Sequence, residues 1–274
     1  PMRFRYNKVS LDFFTWRPMI TEYHRPQTMD DTLKLLAQPN TLPLGGGTKI
    51  NSPSFKDRDF AVVDLQALDL KRITQSGYTL DIGATTTLQQ LLESADAPAA
   101  LQQAIRQEAS LNIRNAATVA GTLVSCDGRS PFAAAMLALD AKVTVISEQS
   151  SIISLAEYWT LRPARLITLV SIPLNAKFAY EQVARTPADV PIVCAALAQW
   201  NSGRTRLALG GYGASPLLAM DGTEADGLES AAKNAFHEAI DQWASAEYRM
   251  DVAATLARRC LEHINAAGNL GKED

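Results

Sequence analysis

The chain has 274 residues, of which 47% are hydrophobic and 20% charged, with a formal net charge of -3. Those proportions suit a folded protein with one large domain or two to three small ones, and no basic run marks nucleic acid or an anionic membrane as a partner. No apolar run approaches the roughly 18–20 residues of a membrane span, and no signal-peptide pattern is read at the N-terminus. Cys126, Cys194 and Cys260 are odd in number, far apart and without a Cys-x-x-Cys pair, so they suggest neither a zinc site nor a disulfide framework. A reducing cytoplasm is the expected compartment.

Residues 1–18 are set aside as an N-terminal extension or an expression-derived segment; its aromatics, Phe4, Tyr6, Phe13, Phe14 and Trp16, would need burial or a partner. Thr28-Met29-Asp30-Asp31 reads as a helix start, with Thr28 as cap and acids in the first turn. Leu33, Leu36 and Ala37 then share one face, and Gln38-Pro39-Asn40 ends the helix. Thr41 to Leu44 and Ala61 to Leu65 read as strands, completing a small α/β unit. Arg72 to Ile82 reads as a hairpin turning at Gln75-Ser76-Gly77, and Thr87 to Gln90 matches a capping box. A helix is expected from Pro98 to near Ala109, and strands from Lys142 to Ser147 and from Arg165 to Ile172. Beyond them come a strand from Phe178 to Arg185, a hairpin of Val193–Trp200 with Arg204–Gly210, and helices near Glu224–Ser245 and Tyr248–Ala266. The fold class is therefore α+β.

Two segments could carry chemistry. Leu44-Gly45-Gly46-Gly47-Thr48-Lys49-Ile50 follows a strand. Consecutive glycines let a backbone approach a ligand with its amides turned inward, a nest suited to a diphosphate, and Thr48 and Lys49 add a hydroxyl and a charge. It is neither a Walker loop, because Thr precedes Lys, nor a Rossmann fingerprint, because the glycine run stops at Gly47. A plain glycine turn is the alternative. The second segment runs from Asn112 to Leu123 and contains Thr118, Val119, Ala120, Gly121 and Thr122; by itself it reads as a turn of small residues.

In this order, about 70 residues apart, the two segments resemble the FAD-binding subunit of the xanthine dehydrogenase and carbon monoxide dehydrogenase family of molybdenum hydroxylases. Other stretches agree: Glu22-Tyr23-His24-Arg25-Pro26, Val63-Asp64-Leu65, Ile82 to Thr87, Arg114-Asn115, Ser130-Pro131 with Leu139-Asp140-Ala141, Phe178 to Arg185, and Tyr248-Arg249. The resemblance implies a p-cresol methylhydroxylase-type FAD-binding fold over residues 19–175, with subdomains of about 19–70 and 71–175. A C-terminal α+β domain over 176–274 would follow. It implies noncovalent FAD between the subdomains, its diphosphate on Gly45 to Lys49, with Thr118 to Leu123 approaching from the other side.

The chain departs from the family at the second loop, usually Thr-Ile/Val-Gly-Gly-Asn. Ala120 replaces a glycine there, which would cost about 1 kcal/mol if φ were positive, and Thr122 replaces asparagine. The family's acid after Ser-Pro is also missing, and Asp127 is the candidate to stand in for it. His24 is read as structural rather than as a covalent flavin attachment point, His237 and His263 as surface or packing residues, and Cys126 as packing. Leu256, Cys260 and Ile264 are read as core, and Arg185 and Asp189 receive no role.

The resemblance further implies an oxidoreductase subunit with no catalytic residue or metal of its own. Molybdopterin and a 2Fe-2S cluster would sit on partner subunits, and FAD would pass electrons to NAD or a quinone. One rival is a family member that has lost FAD and serves as a scaffold; the other is a stand-alone flavin oxidase of the same fold.

Overall fold

A computed structural model describes residues 20–50, 55, 58–147, 149–161 and 166–270, with side chains to 266. Segment 1–18 and its aromatics lie outside them. The first unit comprises β1 (Ile20–His24), α1 (Met29–Leu36), β2 (Thr41–Leu44) and β3 (Phe60–Asp64). Its three strands form a parallel sheet in the order β1-β3-β2. Thr28 caps α1, its Oγ1 accepting from the Asp31 amide at 3.2 Å. Of the expected Leu33, Leu36 and Ala37, Leu36 is on the inward face. Met29, Leu35 and Leu36 pack on Val63, Leu65, Leu68 and Leu166, whereas Ala37 is the exposed C-cap. Asn40, at φ 54°, turns the chain from α1 into β2, a left-handed position that asparagine tolerates.

The second unit begins with β4 (Ile73–Ser76) and β5 (Thr79–Gly83), then four short helices, α2 (Leu88–Glu93), α3 (Ala99–Glu108), α4 (Leu111–Ala116) and α5 (Val119–Ser125). It continues with α6 (Pro131–Ala138), β6 (Lys142–Ile146), β7 (Ser150–Ser154), α7 (Leu155–Leu161) and β8 (Leu166–Pro173). The strands form one antiparallel sheet, β4-β5-β8-β6-β7. The first hairpin turns at Gly77-Tyr78, leaving Gln75 and Ser76 in the strand; Gly77, at φ 57°, supplies the positive φ this turn needs. The capping box of α2 forms as expected: Thr87 Oγ1 accepts from the Gln90 amide and Gln90 Oε1 from the Thr87 amide.

The third unit is β9 (Ala176–Val183), β10 (Val193–Trp200), β11 (Thr205–Gly210), β12 (Leu217–Gly222), α8 (Leu228–Ala235) and α9 (Ala246–Leu270). Its antiparallel sheet runs β12-β11-β10-β9, and the central strands β10 and β11 are buried on both faces. Alternation along β10 explains this. Cys194, Ala196 and Ala198 join the core around α6, whereas Val193, Ala195 and Leu197 face Phe236, Leu256, Cys260 and Ile264 on the other side. Helix α6, sequence PFAAAMLA, is buried on every side, and its alanines allow close approach to β10 and β11. The second and third units therefore share one core.

The expected helix over Glu224–Ser245 is only α8. Arg249, fully buried, donates to the carbonyls of Ala239 (2.7 Å) and Ala244 (3.1 Å) and to Asp241 Oδ1 (2.8 Å). The guanidinium thus takes carbonyls that a continuous helix would have used internally.

Candidate cofactor site

The glycine loop leaves the end of β2 held by its oxygen side. Leu65 N donates to Leu44 O (3.0 Å) and Gln66 Nε2 to Gly45 O (3.1 Å). Gln66 is fixed in turn because its amide donates to Asp64 Oδ1 at 2.8 Å. Asp64 also accepts from the Tyr23 hydroxyl and lies 3.7 Å from Arg25 Nε. The stretches 22–26 and 63–65 are thereby tied to the loop's orientation. None of the amides of Gly45 to Lys49 has an acceptor among the described residues, and Gly47 is left-handed at φ 69°. Carbonyls held to the sheet with amides open on the other side make an anion-binding nest.

The second segment is not a loop: residues 112–116 belong to α4 and residues 119–123 to α5, with Thr118 as the N-cap of α5. Its amides are already used: Val119 N donates to Thr86 O (2.8 Å), Ala120 N to Ala84 O (3.2 Å) and Thr122 N to Thr118 O (2.8 Å). Gly121 N donates to Thr118 Oγ1 at 3.2 Å, and the Thr122 hydroxyl donates back to Thr118 O at 2.9 Å. The strain anticipated at Ala120 does not exist. Ala120 is helical and its φ is not positive; among the described residues the non-glycine positions with positive φ are Asn40 and Asp140.

The two segments pack on each other without room for a side chain. A β-carbon on Gly46 would stand 1.6 Å from Ala116 O, and one on Gly45 2.8 Å from Thr118 Oγ1. Two cavities open along this seam. The larger, about 260 Å³, is bounded by Leu44 to Ile50, Thr118, Ala120, Gly121, Val124 and Tyr158, with Ile167 of β8 behind. The smaller, about 180 Å³, is bounded by Glu108, Ile113, Thr122, Asp127, Arg129 and Ser130. Thr48, Lys49 and Ser125 line both, so the two adjoin as a two-part trough at the end of the glycine loop. Val124, 47% exposed, and Ile113, 44% exposed, stand in its walls as apolar surface that a ring could cover.

Of the expected site residues, Leu44, Gly45, Gly46, Gly47, Thr48, Lys49, Ile50, Thr118, Ala120 and Gly121 border the larger cavity, and Thr122 and Asp127 the smaller. Val119 borders neither; its side chain is fully buried in the core. Arg114 is structural, its guanidinium donating to Gln89 Oε1 (3.0 Å) and to the carbonyls of Arg106 (3.2 Å) and Ala109 (2.6 Å). His24 contacts Glu22, and His237 and His263 are exposed; none of the three lines either of these two cavities. Arg185 pairs with Asp189 at 3.3 Å, and Arg185 and Arg129 both stack on Trp243. Burial pushes the Cys194 thiol up to about 12 and the Cys260 thiol further, so both are inert packing groups.

Glu108 was not anticipated. Its Oε2 accepts from Ser130 Oγ (2.7 Å) and from the Phe132 amide (3.0 Å) at the start of α6. It places a carboxylate beside Ser130-Pro131 from a helix earlier in the chain. Asp127 instead accepts from the Arg129 amide at 2.9 Å in a local turn. Desolvation pushes Glu108 up to about 7 against the two hydrogen bonds, with Asp127 adding to the rise and Lys49 opposing it. A signal existed in the sequence: Glu108 is the last residue of its helix, where the macrodipole disfavours an anion.

This fold and trough define a flavin-binding subunit of the molybdenum hydroxylase type. A family model described as the FAD binding domain in molybdopterin dehydrogenase matches residues 18–175, and the chain belongs to that family, as one of its FAD-binding medium subunits. It is 29% identical over 280 residues to the carbon monoxide dehydrogenase medium chain of Afipia carboxidovorans, covering 89% of this chain and 96% of that one. It is 28% identical over 258 residues to the uncharacterized protein YgfM of Escherichia coli K12, covering 91% and 98%. The structure matches that of reconstituted CO dehydrogenase from Oligotropha carboxidovorans with a TM-score of 0.76 at 27% identity, over 89% of this chain and 97% of that chain. Among the described residues, no helix is long and apolar enough to cross a membrane.

Proposed function

We propose that the chain is the electron-transfer subunit of a heteromeric molybdenum hydroxylase, holding FAD noncovalently along the trough with the diphosphate on Gly45 to Lys49. The observation that carries this reading is the contact of Gly45 and Gly46 with residues 116–118, which leaves the amides of the loop facing the trough without protein acceptors among the described residues. When bound, FAD would supply a two-electron store, filled singly from a 2Fe-2S centre on a partner subunit and emptied to NAD or a quinone. The residues of this chain bind and orient. The amides and Lys49 hold the anionic bridge, and Val124 and Tyr158 border the larger cavity on one side of it. Ile113, Asp127 and Glu108 border the smaller cavity on the other.

We also propose the domain division 19–70, 71–175 and 176–274, a cytoplasmic location, and partners carrying molybdopterin and the iron–sulfur cluster. The medium-chain name of the Afipia relative supports the assembly. Of the two departures that motivate the scaffold alternative, Ala120 and Thr122, the first carries no strain in α5. Titration of the full chain with FAD tests the cofactor reading: one FAD per chain is expected, and Lys49→Met should weaken binding about tenfold or more, as for loss of a charged contact. Affinity purification from the native host tests the assembly. Recovery of this chain alone, fully active, would overturn it.

A further inference from the structure

We propose that Glu108 is a proton-linked positioning residue of the trough: occupation of the Gly45–Lys49 loop by a diphosphate draws one proton from solvent onto the Glu108 carboxylate, through Lys49. This rests on the FAD reading above. The geometry is specific. One oxygen of Glu108 is held by Ser130 Oγ and the Phe132 amide, and the residue forms a wall of the smaller cavity. Lys49 ends the glycine loop and lines both cavities, so its cation lies between the ligand's loop and the cavity of the carboxylate.

The groups around Glu108 act in known directions. Lys49, from the glycine loop, favours the ionised form. Asp127, from the connection between α5 and α6, opposes it; Arg129 of the same connection lines the same cavity. Behind lie Tyr180 of β9 and Cys194 of β10, both coupled to Glu108 and both neutral at ordinary pH because burial raises them. Burial of the carboxylate itself is the largest influence and already brings its protonation to about neutral pH. A diphosphate on Lys49 would cancel the main charge favouring ionisation, and a ring in the smaller cavity would displace water from the carboxylate. Both effects favour the neutral acid. Binding therefore takes up a proton, and affinity falls as pH rises above 7.

The test is FAD binding to the full chain from pH 6 to 9, followed by flavin fluorescence, with proton uptake measured in a lightly buffered dye solution. The wild type should lose affinity by up to about tenfold per pH unit above 7 and take up as much as one proton per FAD. Glu108→Gln should lose both the slope and the uptake, whatever its absolute affinity. Ser130→Ala, which removes a donor to the ionised form, should move the break in the profile to higher pH; it also serves if Glu108→Gln does not fold. FAD binding by the wild type with no pH slope, a slope and uptake that survive Glu108→Gln, or an unmoved break in Ser130→Ala would each overturn the proposal while the FAD reading stands. No FAD binding at any pH would overturn the FAD reading and this proposal with it.

Discussion

Gly46 and Ala116 are in backbone contact: a β-carbon on Gly46 would fall 1.6 Å from the Ala116 carbonyl oxygen. The glycine loop and the chain entering α5 are thus two sides of one seam. Gly46→Ala must push them apart, and because the obstacle is backbone no rotamer change relieves it. We expect FAD retention to fall by at least tenfold and stability by about 1–3 kcal/mol, read as flavin absorbance per chain after gel filtration and as a urea midpoint. Gly45→Ala, whose nearest obstacles are side-chain atoms of Thr118, the hydroxyl at 2.8 Å, should do less.

Ala120→Gly tests whether the glycine usual at this position is missed. In α5 the alanine is unstrained and its amide already serves Ala84 O. The substitution should therefore leave FAD affinity within about twofold and cost about 1 kcal/mol in helix propensity, measured by FAD titration alongside denaturant unfolding. A large gain in FAD affinity would show that the methyl obstructs the site.

Arg206, 5% exposed, joins the second and third units. It pairs with Asp221 (2.5 Å) and Asp140 (3.3 Å) and donates to Leu137 O (3.1 Å) at the end of α6. Arg206→Met keeps the apolar stem but leaves that carbonyl and a carboxylate short of partners, and should lower stability by about 1–3 kcal/mol. Hydrogen bonding to Arg204, with Arg206 adding to it, holds the Asp221 carboxyl below its ordinary value of 3.8. Its contribution is present above that value and disappears as pH falls through the lower folded value, so the loss belongs to acid unfolding below about pH 4. The acid-unfolding midpoint of Asp221→Asn checks this.

Glu108 has the opposite sign. Its folded value is raised from 4.5 to about 7, so its contribution is full below 4.5 and is lost as pH rises through 7. The magnitude is on the order of 3 kcal/mol. Melting temperatures of the cofactor-free chain from pH 5 to 8 should fall for the wild type and be flatter for Glu108→Gln. An equal fall in both would show that the carboxylate is already ionised without penalty.

The sequence carried most of this architecture where local chemistry decides it. Thr28 and the Thr87–Gln90 box marked helix starts, and the glycine run after Leu44 marked a close backbone approach. It was silent where distant partners decide. Strands β1, β7 and β12 lie at sheet edges; β1 and β7 are short and largely polar, and β12 opens on four consecutive apolar residues, so none shows a clear alternation. Helix α6 has no amphipathic face because it is buried all round. Residues 236–245 look helical until Arg249 is seen taking their carbonyls. At the site, the glycine loop was legible because its chemistry is contiguous. For Glu108 only the unfavourable place of an anion at a helix end was legible; its partner was not, because it meets Ser130 only when α3 packs beside α6.

The central claim, that the trough over Gly45 to Lys49 holds FAD, is tested most directly by gel filtration of the full chain with excess FAD while recording the visible spectrum of the protein peak. The account predicts a flavin band travelling with the protein at one FAD per chain, and its depletion in Gly46→Ala and Lys49→Met. A protein peak without a flavin band, from a folded wild type, would contradict it.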